Sequence, residues 1–263
     1  MSTSFPLEGM RVRFAGETDT GKKRSHNEDT LYIPESERVV IVADGMGGHA
    51  AGDIASQLAV QTVVDYLTTT AEEKEVTWPF MADRENRRHE NRLVTAVKMA
   101  NLNIFETSQR ENKKGGMGTT LVAGLFCDEE ILWAHVGDSR IYRVRDGQMS
   151  QLTEDHSLLN DYIRMKRITQ DEVDDFPHKN VIVRALGMKE SVTVDILQEA
   201  PVVGDIYLLC SDGLCDMLTD DEILPLTQGE DDLDRCCEVL VQAANDAGGV
   251  DNITVALARI ETL

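Results

Sequence analysis

Two stretches limit the possible folds of this 263-residue chain more than any others: Val39-Val40-Ile41-Val42-Ala43 and Ile206-Tyr207-Leu208-Leu209-Cys210 are unbroken apolar runs of strand length. Each leads into an Asp-Gly pair, directly at Asp44-Gly45 and through Ser211 at Asp212-Gly213. A strand with no polar face cannot lie against water, so each run predicts a strand covered on both sides. Segments 50–69 and 93–105 carry apolar residues at helical spacing, at 55, 58, 59, 63, 66 and 67 and at 93, 96, 97, 100 and 104. Shorter β-rich runs occupy 119–126, 131–136, 141–144 and 192–196; a third helix is expected over 231–244 and a last strand over 253–260. Helices and strands come in blocks, not in regular βαβ alternation, which argues for an α+β fold in one domain.

Charge narrows the partners. Acidic residues outnumber basic ones 47 to 26, a net charge of −21, and that field repels phosphate backbones and anionic lipid. Nucleic acid and membrane are therefore excluded as expected partners. No apolar stretch approaches the roughly 20 residues that span a bilayer, the N-terminus lacks the basic-then-apolar pattern of an export signal, and a cytoplasmic location is expected. The five cysteines are odd in number and make no C-x-x-C pair, so they read as reduced core thiols and not as a zinc site.

The aspartates that follow the apolar runs stand where core gives way to loop, and are partly desolvated. Asp251 lies just before the last predicted strand, so three carboxylates, Asp44, Asp212 and Asp251, can converge at one sheet edge. Like charges in such a place need protons or a cation. Oxygen donors without Cys or His favour Mg²⁺ or Mn²⁺ over Zn²⁺, and the backbone carbonyl of Gly45 is open as a further ligand. One Asp-Gly would be read as a turn; two Asp-Gly sites and Asp251, three carboxylate sites in one chain, favour metal. Upstream, the cluster Gly21-Lys22-Lys23-Arg24-Ser25-His26-Asn27-Glu28-Asp29 supplies a candidate phosphate clamp in Arg24, with Glu28 and Asp29 as acids that orient water.

The ordered set Arg24-x-x-Asn27-Glu28-Asp29, Ala43-Asp44-Gly45-Met46-Gly47-Gly48-His49, Gly52-Asp53-x-Ala55-Ser56, Gly118-Thr119-Thr120, Val136-Gly137-Asp138-Ser139-Arg140, Leu152-Thr153-x-Asp155-His156-Ser157, Arg184-Ala185-Leu186-Gly187, Cys210-Ser211-Asp212-Gly213-Leu214 and Asp251-Asn252-Ile253-Thr254 resembles the metal-dependent protein phosphatases of the PPM group, the type 2C serine/threonine phosphatases. The resemblance runs over about residues 10–260. It implies a four-layer αββα sandwich, two antiparallel sheets flanked by helix pairs, with a two-metal centre at one end. By position, Asp44 resembles the carboxylate that bridges two Mn²⁺ or Mg²⁺ ions, Gly45 offers its carbonyl, and Asp212 and Asp251 hold the second ion. Glu28 and Asp29 resemble acids that bind metal through water, Asp138 the ligand of a third, weaker metal, and Arg24 the phosphate-binding arginine. A bridging water would attack phosphorus in line.

The resemblance implies a bacterial-type enzyme. Met46 stands where eukaryotic members carry a histidine proposed as proton donor, which leaves the general acid open. His49 reads as a histidine bonded near the helix start, and His156 as a structural hydrogen-bonding position. The stretch 157–183 falls where bacterial members carry a flap beside the site; its Lys166-Arg167 and its acids Asp171, Glu172, Asp174 and Asp175 suit either a substrate-selecting flap or an ordinary surface excursion. Trp78 and Trp133 read as packing anchors. The expected function is hydrolysis of phosphoserine and phosphothreonine in proteins by a monomer that opposes a bacterial Ser/Thr kinase. A catalytically silent phosphoprotein-binding module on the same fold is the alternative; it should have lost metal aspartates, and all three are present. A two-metal nuclease is opposed by the net charge.

Overall fold

The structure is a computed structural model that describes residues 2–47, 51–71, 87–110, 116–168, 176 and 181–263. The readings of His49, Trp78 and the acids Asp171, Glu172, Asp174 and Asp175 lie outside these residues.

Alternation along the two apolar runs shows why both are buried throughout. In β4 (Val39–Met46), Val39, Ile41 and Ala43 enter one core while Val40 and Val42 enter another. In β11 (Ile206–Cys210), Ile206, Leu208 and Cys210 point to a third core, and Tyr207 and Leu209 join Val40 and Val42. Three cores separate four layers. One six-stranded sheet has the order β1 (Thr3–Leu7), β2 (Met10–Asp19), β12 (Ile253–Thr262), β11, β8 (Arg140–Arg145), β9 (Gln148–Gln151). The other runs β10 (Asp195–Glu199), β7 (Ile131–Val136), β6 (Leu121–Phe126), β4, β3 (Asp29–Tyr32), with β5 (Gly118–Thr119) also on β4. Every pairing is antiparallel.

Helices α1 (Ala51–Thr69) and α2 (Arg88–Arg110) cover the β4 sheet through Ala55, Ala59, Val63, Leu93, Val97 and Ile104. Helix α6 (Leu233–Asp246), with α4 (Asp212–Cys215) and α5 (Asp220–Gln228), covers the other sheet through Leu233, Cys236, Cys237 and Leu240. Between the sheets lies an aromatic row: Phe14–Phe126 at 4.9 Å, Phe126–Trp133 at 5.4 Å and Trp133–Tyr207 at 4.8 Å between ring centroids. Trp133, 1% exposed, anchors that row. All five cysteines are free, and all but Cys215 are buried.

The structure differs from the sequence reading in detail. The strand expected over 192–196 is β10, Asp195–Glu199, which begins where pairing with His135 on β7 becomes available. The third helix starts two residues later than expected because Asp232 serves as its N-cap, its side chain accepting from Asp234 N. Strands β1, β2, β3 and β9 and helix α5 were not expected; their sequences are short or half-polar, and sheet pairing decides them. The stretch after Ser157 opens as a short helix, α3 (Leu158–Arg164). Its base is closed by Leu158 N donating to Val181 O (2.8 Å) and Val183 N donating to His156 O (2.9 Å).

Candidate metal centre

Asp44 does not follow the end of its strand. β4 continues through Asp44-Gly45 to Met46, because Gly45 and Met46 pair with Thr119 and Gly118. Threonine side chains complete the edge here: Thr120 Oγ1 accepts from Asp44 N (3.0 Å), and Thr119 Oγ1 donates to Asp44 O (2.8 Å). Asp212 heads α4, immediately after β11, and Asp251 precedes β12. Since Cys210 pairs with Val255, the end of β11 lies beside the start of β12, as antiparallel pairing requires.

The expectation that all three aspartates meet at one sheet edge is corrected. Asp212 follows β11 and Asp251 precedes β12 in one sheet, while Asp44 lies in β4 of the other, and they meet because the two sheets are stacked with these strand ends at the same end of the sandwich. Thr254 Oγ1 on β12 donates to Asp29 Oδ2 on β3 at 2.6 Å, which ties the sheets together at that point. Asp29 in turn is the register partner of Asp44.

Close backbone approach builds the remaining wall. A Cβ on Gly45 would sit 2.2 Å from Gly52 O and 2.5 Å from Glu28 O, so the first turn of α1 and the Glu28 backbone lie directly against Gly45. Ser56 Oγ reinforces this by donating to Glu28 O (2.6 Å). The basic loop is held by Gly21, at φ +77° and with no room for a Cβ beside Asp251 O. Asn252 holds it too: its Nδ2 donates to Thr20 O (2.9 Å) and His26 O (3.0 Å), and its Oδ1 accepts from Glu28 N (2.8 Å). Arg24 extends from this loop to Asp251, Nη2 donating to Oδ2 at 2.5 Å, with about half of its side chain exposed.

Asp138 occupies the turn between β7 and β8. His156 fixes that turn twice, its N donating to Gly137 O (2.7 Å) and its Nδ1 accepting from Gly137 N (3.0 Å). The other ring nitrogen pairs with Asp195 at 3.0 Å.

Burial and crowding raise the carboxyl pKa values together. Asp44 is pushed well above the usual carboxylate range by burial first, then by Asp29, Asp212, Asp138 and Asp251. Asp212 rises to about 8 through burial, then Asp138, Asp216, Asp251 and Asp29. Asp29 and Asp138 rise to about 6, burial leading in both cases. Asp216, raised by burial before all else, was missed from sequence; it lies four residues after Asp212, the spacing that puts two side chains on one helix face, and that was its signal. The bracing roles of Thr119, Thr120 and Asn252 were missed as well, since nothing in their local sequence shows which carbonyls they reach.

Among the described residues, Glu28 Oε1, Asp138 Oδ1 and Asp212 Oδ1 are buried without a hydrogen-bond partner. Oxygen atoms in that condition, set among carboxylates that repel one another, match what hard divalent cations need. The donor set therefore fits Mn²⁺ or Mg²⁺ at this end of the sandwich.

Comparison with known proteins agrees with this chemistry. The profile of a family described as "Protein phosphatase 2C" matches residues 19–257. The serine/threonine phosphatase stp of Listeria monocytogenes serotype 4b is 40% identical over 250 residues, covering 92% of this chain and 93% of that protein. The crystal structure of the serine/threonine phosphatase PstP/Ppp of Mycobacterium tuberculosis superposes with a TM-score of 0.82 at 36% identity, covering 95% of this chain and 99% of that one. A structure of the PstP catalytic domain in complex with two manganese ions superposes with a TM-score of 0.79 at 34% identity, covering 95% of this chain and 98% of that one.

Proposed function

The chain belongs to the protein phosphatase 2C family and is a metal-dependent protein serine/threonine phosphatase; from that premise we propose that Asp44, Asp212, Asp251 and the Gly45 carbonyl hold two divalent cations, with Asp138 the ligand of a third. The ions are Mn²⁺ or Mg²⁺, which the all-oxygen donor set suits alike. The observation that carries this reading is the group of mutually repelling, half-buried carboxyl groups with buried, unpartnered oxygens at one end of the sandwich. When bound, the cations supply positive charge for the phosphoryl oxygens and lower the pKa of water.

The chain's own residues do the rest. Arg24 swings from Asp251 to grip two phosphate oxygens with its planar fork, and Asp251 is thereby freed for a cation. Glu28 and Asp29 accept hydrogen bonds from water and orient it; Asp29 is itself steadied by Thr254. The rigid floor made by Gly45, Gly52 and Glu28 keeps these acids from relaxing apart. Met46 carries no titratable proton, so it does not protonate the leaving Ser or Thr oxygen.

The substrates are phosphorylated proteins, and the enzyme opposes a bacterial Ser/Thr kinase. Residues 157–183 act as a flap within one phosphatase unit spanning 1–263, a reading supported by the closure of their base beside His156, the residue that clasps the Asp138 turn. A cytoplasmic location is supported by the five free cysteines, and no described helix is long and apolar enough to cross a membrane. A monomer is favoured because copies carrying −21 charges repel.

The test is release of phosphate from p-nitrophenyl phosphate and from a phosphothreonine peptide, with and without Mn²⁺, for the wild type and Asp212→Asn. Mn²⁺-dependent turnover that the folded variant loses supports the assignment. Full activity in Asp212→Asn overturns the metal ligands, and no turnover by the wild type with any divalent ion would favour a phosphoprotein-binding module.

A further inference from the structure

Outside the aspartate centre, three side chains of different chemistry meet at the far end of the β4 sheet. His89 lies in the first turn of α2, Cys127 directly after β6 and Glu130 directly before β7. One ligand atom from each lies within 4.8 Å of the other two. The β6–β7 turn is what brings Cys127 and Glu130 together, since Cys127 N donates to Glu130 O at 2.8 Å across it. Against the sequence expectation that no cysteine binds zinc, we propose that His89, Cys127 and Glu130 form a second metal site, selective for a borderline-soft divalent cation such as Zn²⁺ and independent of the catalytic centre.

The donor set carries the choice of ion. Imidazole, thiolate and carboxylate together suit Zn²⁺ with a water in the fourth position, whereas the all-oxygen centre suits Mn²⁺ or Mg²⁺. His89 Nδ1 is buried and takes no hydrogen bond. The His89 ring is held in its neutral, ligating form by burial and by Arg92. Cys127, 8% exposed, makes no disulfide. Gln198 Nε2 donates to Glu130 Oε2 at 2.6 Å, which orients that carboxylate and leaves Oε1 for an ion, the usual outer support of a metal ligand.

The neighbouring cations are already engaged. Arg38 is held by Asp128 (2.6 Å) and the Pro6 carbonyl (3.0 Å), and Arg92 by Thr70 Oγ1 (3.1 Å) and the Leu67 carbonyl (2.5 Å). Binding exchanges the Cys127 S–H proton for the metal, and the proton leaves to solvent. Burial, and Glu130 after it, holds the free thiol at about 12, so the metal is what makes a thiolate here.

Distance separates this site from the chemistry. Gly45 pairs with Thr119 and Val39 with Leu125, so the β6 strand leads away from Asp44. Cys127 lies seven residues along the chain from Thr120, which bonds Asp44, roughly 23 Å of extended chain.

The experiment uses the full chain, stripped with chelator and saturated with Mn²⁺, then titrated with Co²⁺ as a spectroscopic probe. The expected result is a near-ultraviolet thiolate-to-cobalt charge-transfer band that saturates at one equivalent and is abolished by added Zn²⁺. Cys127→Ser and His89→Ala should lack the band while keeping wild-type Mn²⁺-dependent hydrolysis of p-nitrophenyl phosphate. Glu130→Gln should weaken Co²⁺ binding at least tenfold. His89 is only partly buried, so its variant serves if Cys127→Ser does not fold. No band in the wild type, or a band of undiminished intensity in either His89→Ala or Cys127→Ser, overturns the site.

Discussion

Asp29 and Asp44 stand directly opposite each other across the β3–β4 pair, so two carboxylates that would repel in water are fixed as register partners in a half-buried position. Neither can move away without breaking a sheet. Thr254 Oγ1 bonds Asp29 from the other sheet, and Thr120 Oγ1 holds the Asp44 backbone. The fold therefore stores electrostatic repulsion at the place where cation binding releases it.

That relationship sets a pH dependence of stability. Asp212 titrates at about 8 in the folded chain, Asp29 and Asp138 at about 6, and Asp44 well above its usual range, while all four return to about 4 when unfolded. Between these values the folded state binds more protons than the unfolded state, so metal-free stability falls as pH rises from about 4 through about 8. Below pH 4 both states are protonated and the penalty vanishes. The gain in Tm on adding Mn²⁺ should thus be small near pH 5 and grow through pH 8. Differential scanning fluorimetry with and without chelator checks this, and a gain that is flat with pH would contradict it.

Arg24→Ala should raise KM for p-nitrophenyl phosphate by about tenfold or more while changing kcat less, because a guanidinium–phosphate pair is made already in the ground state. Steady-state kinetics at saturating Mn²⁺ separates the two parameters. An unchanged KM removes Arg24 from the site.

Asp138→Ala should lower kcat while leaving two tight Mn²⁺ ions bound. The Asp138 turn is braced independently by His156, so the substitution does not collapse it. Titration calorimetry counts the ions; loss of a tight ion would make Asp138 a ligand of the main pair.

Gly52→Ala tests the floor of the centre. Its Cβ would come within 2.8 Å of Gly45 O, Gly45 C and Glu28 Oε1, and backbone on one side leaves no room to yield. A loss of roughly 1–3 kcal/mol is expected from such overpacking, with a larger loss of Mn²⁺ affinity than a remote surface substitution produces. Urea unfolding together with Mn²⁺ titration measures both, and wild-type values in each would show that Gly45 and Gly52 need not touch.

The sequence by itself determined the covered strands and most of the chemistry, and its resemblance to a known family implied the layers. Val39–Ala43 and Ile206–Cys210 could only be strands with both faces covered, because no alternation leaves a polar side for water; the cores on either side of them follow. The Asp-Gly pairs, Asp251 and the basic cluster at Arg24 were visible as residue types at informative positions. Only the tertiary structure decided how they meet. Asp44 comes from a strand of one sheet and Asp212 and Asp251 from the ends of strands in the other, a convergence made by stacking and not by local order. The Asn252 bonds to Thr20, His26 and Glu28, and the engagement of Arg24 by Asp251, each span more than 220 positions of chain. Local patterns fix what a strand or helix buries, but a hydrogen bond between residues so far apart exists only once the sheets have paired and stacked.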